Sequence, residues 1–107
     1  MATERSVLDA LLDSLGHPQE LSARAMMGEY IVYYEDRAVG GLYDGRLLVK
    51  PVAGAKALLP DAALELPYDG AKPMLRIAEG TASSVVLAVL AAVAREVPAR
   101  KPRKKLS

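Results

Sequence analysis

The spacing of apolar residues changes period along the chain. Val7, Leu8, Leu11, Leu12 and Leu15 recur at intervals of three and four, which places them on one face of a helix, and Asp9 and Asp13 fall off that stripe. Gly16 supplies a helix-ending residue and Pro18 blocks continuation. From Ala23 the period becomes two. Ala23 to Met27 reads as a short strand before Gly28, and Tyr30-Ile31-Val32-Tyr33-Tyr34 as a strand of β-branched and aromatic residues. Glu35-Asp36-Arg37 interrupts it, and Ala38 to Tyr43 resumes. Asp44-Gly45 is a hairpin turn signal, and Arg46 to Lys50 forms the next strand, stopped by Pro51. The pattern predicts an antiparallel meander of three to four strands.

Ala53 to Leu59 reads as a short helix closed by Pro60, with Gly54 working against it. Asp61 to Pro73 is mostly loop, and Tyr68 to Pro73 is rich in turn formers. Met74 to Ala78 is a further strand. A last helix spans 82–97, with Val86, Leu90, Val93 and Val97 as its core stripe and Val85 and Val89 beside it. Only Arg95 and Glu96 are charged there, so the helix must be covered on more than one side, by the sheet and the first helix together or by a second subunit. The order is α-β-β-β-β-α-β-α. It predicts an α+β fold of two layers, an antiparallel sheet of about four to five strands with helices packed on one face.

Composition narrows the class. A chain of 107 residues builds one core. Without Phe or Trp, that core must be made of Leu, Val, Ile, Ala and Met, with five Tyr as the only aromatic rings. The absence of Cys excludes disulfides, thiolate metal sites and cysteine nucleophiles, and agrees with a reducing compartment. The polar start of the chain is unlike a secretory signal. The longest apolar run, Val85 to Ala94, is far short of the roughly 20 residues of a membrane span. A soluble, cytoplasmic protein with no membrane association is expected.

The net charge of +1 hides an asymmetry. Arg100, Lys101, Arg103, Lys104 and Lys105 crowd into the end of the chain, which holds no acid there. Residues 1–97 keep nine basic groups against thirteen acidic ones, about −4, and form the domain. Residues 98–107 form a basic, flexible tail, with Pro98 and Pro102 opposing helix. These five cations are candidate nucleic-acid contacts, weak and without sequence preference. The alternatives are a solubilising tail or one that folds back on the acidic body.

Candidate chemistry is sparse. Gly40-Gly41 lacks the spacing of a dinucleotide or phosphate loop and sits inside a strand, where glycine permits a close backbone approach or a bulge. His17 is the single histidine and lies in a helix-ending turn, placed to satisfy last-turn carbonyls. Glu35 and Asp36, the closest acid pair, read as a solvated turn. Period two puts Tyr30 and Tyr34 on one face and Tyr33 on the other. Base stacking there is opposed by the acidic surroundings, and tyrosine standing in for Phe and Trp at the sheet edges is preferred. Two segments stand out. The loop Tyr68 to Met74 has Tyr68 and Asp69 before a strand and Lys72 and Arg76 around its start, so that a cleft built there would use Lys72 as an anion contact. In Met26-Met27-Gly28-Glu29-Tyr30, Glu29 has no packing explanation. Glu29, Tyr68, Asp69, Lys72 and Arg76 therefore form the candidate binding set. No residue is assigned to catalysis, a cofactor or a metal.

Three stretches resemble the TfoX N-terminal domain family in order and spacing: Ala25 to Tyr34, Gly40 to Pro51, and Pro67 to Met74. With the flanking helices, the resemblance covers about residues 5–97. It implies a two-layer α/β fold related in outline to secretion-chaperone-like folds, and a bacterial cytosolic protein. The family's namesake is a competence regulator with a second, C-terminal helical domain; here only Pro98 to Ser107 follows, so that role does not transfer. The expectation is a non-enzymatic interaction or regulatory module, homodimeric through the sheet edge or the last helix. The alternatives are a nucleic-acid-associated protein using the basic tail, and a small-molecule binder or enzyme at the Tyr68–Lys72 loop.

Overall fold

A computed structural model of the chain describes residues 3–97. The basic segment and its candidate contacts Arg100, Lys101, Arg103, Lys104 and Lys105 lie outside the described residues. The elements are α1 (Arg5–Ser14), β1 (Leu21–Met26), β2 (Glu29–Tyr34), β3 (Arg37–Tyr43), β4 (Arg46–Val49), α2 (Ala53–Leu58), β5 (Leu64–Glu65), β6 (Met74–Arg76) and α3 (Ser83–Glu96). They form an α+β fold around one antiparallel sheet of six strands in the order β1-β2-β3-β4-β6-β5. The additional strand is β5, inside the stretch whose composition predicts loop. Two residues are too few to show a period, and pairing with β6 (Leu64 with Leu75, Glu65 with Met74) makes them a strand.

Three tight turns build the meander. Met27-Gly28, Glu35-Asp36 and Asp44-Gly45 each place two consecutive residues at positive φ, the type I′ geometry whose twist matches that of flanking strands. Asp-Gly suits such a turn. Glu35 and Met27 do not, and hold left-handed backbone at φ 52°.

The register sorts the side chains into two faces. Leu21, Val32, Leu42, Leu47, Val49 and Leu75 face the helices and join Leu8, Leu15, Val86, Val89, Leu90 and Val93 in one core. Tyr30 and Tyr34 pack against that core. They lie on β2, one strand in from the edge and not at the edge, and their face is covered by helices, which closes it to base stacking. A bulge after Val32 inserts Val39, also a core residue. Helix α3 lies on β2 and β3 and packs along α2. Gly54 permits that crossing: its N–H donates to the Glu96 carboxylate at 2.6 Å, and a Cβ there would sit 3.2 Å from the Ala92 Cβ. The residue that weakens α2 as a helix is thus the one that lets α2 dock. Sheet and α2 cover α3 within one chain, so its apolar surface supplies no reason for a dimer.

His17 serves differently from expectation. The carbonyls of Asp13 and Leu12 are met by the backbone N–H groups of Gly16 and His17, while the imidazole pairs with the Asp13 carboxylate.

Candidate functional site

The sheet face away from the helices carries Met26, Glu29, Gly41, Tyr43, Arg46, Leu48, Met74 and Arg76, by the alternation of the same register. Gly41 is the keystone of this face. A Cβ there would come within 2.6 Å of the Tyr30 carbonyl oxygen and 2.8 Å of the Tyr43 ring. Its absence leaves the Tyr43 ring room over this position. The Gly40-Gly41 pair therefore acts by close approach, as its place in a strand predicts.

The loop between β5 and β6 folds onto Tyr43. Arg46 draws it there. Its guanidinium donates to Glu65 at 2.8 Å and to the carbonyls of Leu66 at 3.3 Å and Pro67 at 3.5 Å, while its Nε donates to the Tyr43 carbonyl at 3.1 Å. Arg76 adds a second bond to Glu65 at 3.3 Å. The two cations, Arg46 first, hold the Glu65 carboxyl below its usual range. Pro67 is buried. Tyr68 reaches over Tyr43 in a tilted aromatic pair, 6.2 Å between centroids at 55°. Burial, then Tyr68 and Glu29, raise the Tyr43 hydroxyl above its usual pKa.

Glu29 has a specific role at the other side. It accepts from the Thr3 hydroxyl at 2.6 Å and from the Asp44 amide at 3.0 Å, and Thr3 in turn accepts from the Gly45 amide at 3.0 Å. Thr3 also bonds through its own N–H to the Gly28 carbonyl. One carboxylate thus ties the beginning of the chain to two hairpin turns. Burial opposes its ionisation, but the Thr3 hydroxyl, the Asp44 amide and the Arg46 charge outweigh it and lower its pKa.

Between the Met26–Glu29 turn and the Leu66–Asp69 loop lies a groove of about 690 Å³. Tyr43 and Arg46 form its floor, Met26, Met27, Leu66 and Tyr68 its apolar walls, and Glu29, Asp44 and Asp69 its charged rim. The volume is that of a ligand site. The four apolar residues are unusually exposed; Met27 keeps 93 % of its surface and Tyr68 61 %.

Of the five candidate residues, the structure brings Glu29, Tyr68 and Asp69 together here. Arg76 acts one residue removed, through Glu65. Lys72 is exposed and lines neither the groove nor a smaller cavity beside α1, so the anion contact expected of it is not part of the site. Tyr43, Arg46, Leu66 and Asp44 escape a linear reading of the site, and Met26 and Met27 enter it only as the flank of Glu29. The signal available for Arg46 was its place next to core-facing Leu47, which turns it to the opposite face. Among the described residues, no group of three or more His, Asp or Glu is arranged to hold a metal, and no helix is long and apolar enough to cross a membrane.

An α+β domain with helices on one sheet face and an open groove on the other is the class these features define. The chain belongs to the family of the uncharacterised 12.7 kDa protein in the trpE 5′ region of Spirochaeta aurantia, with which it shares 32% identity over 108 residues, 97% of this chain and 91% of that protein. No family model matches the chain, and no solved structure does.

Proposed function

We propose that this protein is a non-enzymatic interaction module of the TfoX N-terminal type, and that the outer-face groove is where it holds its partner. The observation that carries this reading is the exposure of Met26, Met27, Leu66 and Tyr68 around one concavity. Apolar side chains left in water at a single place mark an interaction site, and flexible methionines suit a surface that adapts to its ligand. Met27 strengthens the case, because a left-handed turn position normally given to Asn or Gly here carries a large exposed side chain.

The groove favours protein over nucleic acid, since Glu29, Asp44 and Asp69 repel phosphate. Association with nucleic acid would rest on the basic segment alone. The test is selection of a random peptide display library on the immobilised full chain. Selected peptides are then measured against Met27→Asp and Tyr68→Ala, with folding checked by circular dichroism. Loss of binding in both variants supports the groove. Unchanged binding in folded variants rejects it.

A further inference from the structure

We infer that the groove of one copy takes the basic segment 98–107 of a second copy, so that the chain associates with itself by exchanging these segments. The inference rests on the reading of the groove as a docking site.

The groove selects for cations. Arg46, the one basic side chain among the described residues that line it, is already engaged by Glu65 and by the carbonyls of Tyr43, Leu66 and Pro67. Glu29 is held ionised by Thr3 and Asp44, and Asp44 and Asp69 are exposed at the rim. Among the described residues that line the groove, an incoming segment therefore meets three carboxylates and no free basic side chain. The apolar walls suit the same ligand: lysine and arginine bury their aliphatic stems along such surfaces while their heads stay at a polar rim, and the exposed Tyr68 ring offers a face to a cation. The chain itself contains a peptide of this chemistry. Residues 98–107 carry Arg100, Lys101, Arg103, Lys104 and Lys105, no acid, and an apolar Leu106.

Chain geometry points to a second copy. Helix α3 starts beside the end of α1, where Ser83 donates to the Ser14 carbonyl, and finishes beside the start of β3, where Arg37 donates to the Ala94 carbonyl. Tyr43, in the groove floor, is at the far end of that strand. Val97 thus leaves the helical layer at the opposite end of the sheet from the groove. The return covers the seven residues of β3, about 20 Å at 3.3 Å each, and must also round a sheet edge to change faces. Arg100 and Lys101, three and four residues past Val97, reach at most about 14 Å. They cannot enter their own groove, whereas all five cations of a neighbouring copy can enter it.

The chain lacks cysteine, so Ser107→Cys carries a nitroxide at a single position. Full-length chain labelled with nitrogen-15 is mixed with spin-labelled chain of natural isotope content. The amides of Met27, Asp44, Tyr68 and Asp69 lose half or more of their intensity in the mixture. They recover as salt rises from about 0.01 M to about 1 M and the screening length falls from about 30 Å to about 3 Å. The double variant Asp44→Asn, Asp69→Asn abolishes the loss. Full intensity at these amides in the mixture, or loss only when label and isotope share a chain, overturns the inference, as does loss that persists in the double variant. If display-selected peptides still need Met27 and Tyr68 while the mixture shows no loss, the docking reading stands and the exchange alone fails. If those peptides also ignore both residues, the docking reading fails too.

Discussion

Tyr68 lies against Tyr43 at 6.2 Å, although the two belong to elements 25 positions apart and only Tyr43 is buried. The pair closes the β5–β6 loop onto the outer sheet face and leaves most of Tyr68 in solvent. Tyr68→Ala is expected to lower stability by no more than about 1 kcal/mol, the scale of one aromatic pair, while abolishing capture of groove-dependent peptides. Urea denaturation beside a binding titration checks both. A large loss of stability would mean that Tyr68 is a core residue and not a docking surface.

Met27 offers the opposite trade. Its left-handed backbone is unfavourable for a residue with a long side chain. Met27→Asn relieves it and should raise stability by about 0.5–1 kcal/mol, while reducing peptide binding. A variant that gains stability and binds undiminished would remove Met27 from the site.

The two strand glycines should differ in severity. A Cβ at Gly40 would meet the Leu48 backbone oxygen and the Val49 Cα, and neither can move without breaking the β3–β4 pairing. At Gly41 the Tyr43 ring can yield, although the Tyr30 carbonyl cannot. Gly41→Ala is expected to cost about 1–3 kcal/mol, and Gly40→Ala more. Thermal unfolding of the two variants orders them, and equal or negligible losses would contradict the packing described.

Much of the fold was legible because apolar spacing reports which face is buried. The stripe Val7–Leu15 gave α1, alternation through Tyr30–Tyr43 gave β2 and β3, and Asp44-Gly45 gave the hairpin of β3 with β4. Strand β5 was not legible, because its two residues are a strand only through their partner β6. The groove was half legible. Glu29 stood out as unexplained by packing, and Tyr68-Asp69 as a loop worth noticing, but their meeting depends on Arg46 bending that loop over Tyr43. That is a tertiary fact with no local spacing to announce it. Lys72 stays outside for the same reason: adjacency to Tyr68 in sequence does not carry it into the groove.

The carboxylates that assemble the groove should make stability acid-sensitive. Glu29 and Glu65 both have lowered pKa values in the folded chain, so the unfolded chain binds protons more readily. Their contribution is fully present above the unfolded value of about 4.3 and is lost as pH falls through the lower folded values. Between about pH 5 and about pH 3 the urea midpoint should therefore drop. Glu29→Gln and Glu65→Gln each begin lower at pH 7 and fall less steeply, converging with the parent chain in acid. The Glu29 variant should also free the Thr3 hydroxyl and the Asp44 amide, raising hydrogen exchange at Asp44 and Gly45 without affecting Leu66 to Asp69. The Glu65 variant should do the reverse, since it weakens the Arg46 anchor that also holds the loop carbonyls of Leu66 and Pro67. Midpoint curves parallel to the parent over the whole range would show that neither carboxylate is linked to folding, and identical exchange patterns would show that the two sides of the groove are not held separately.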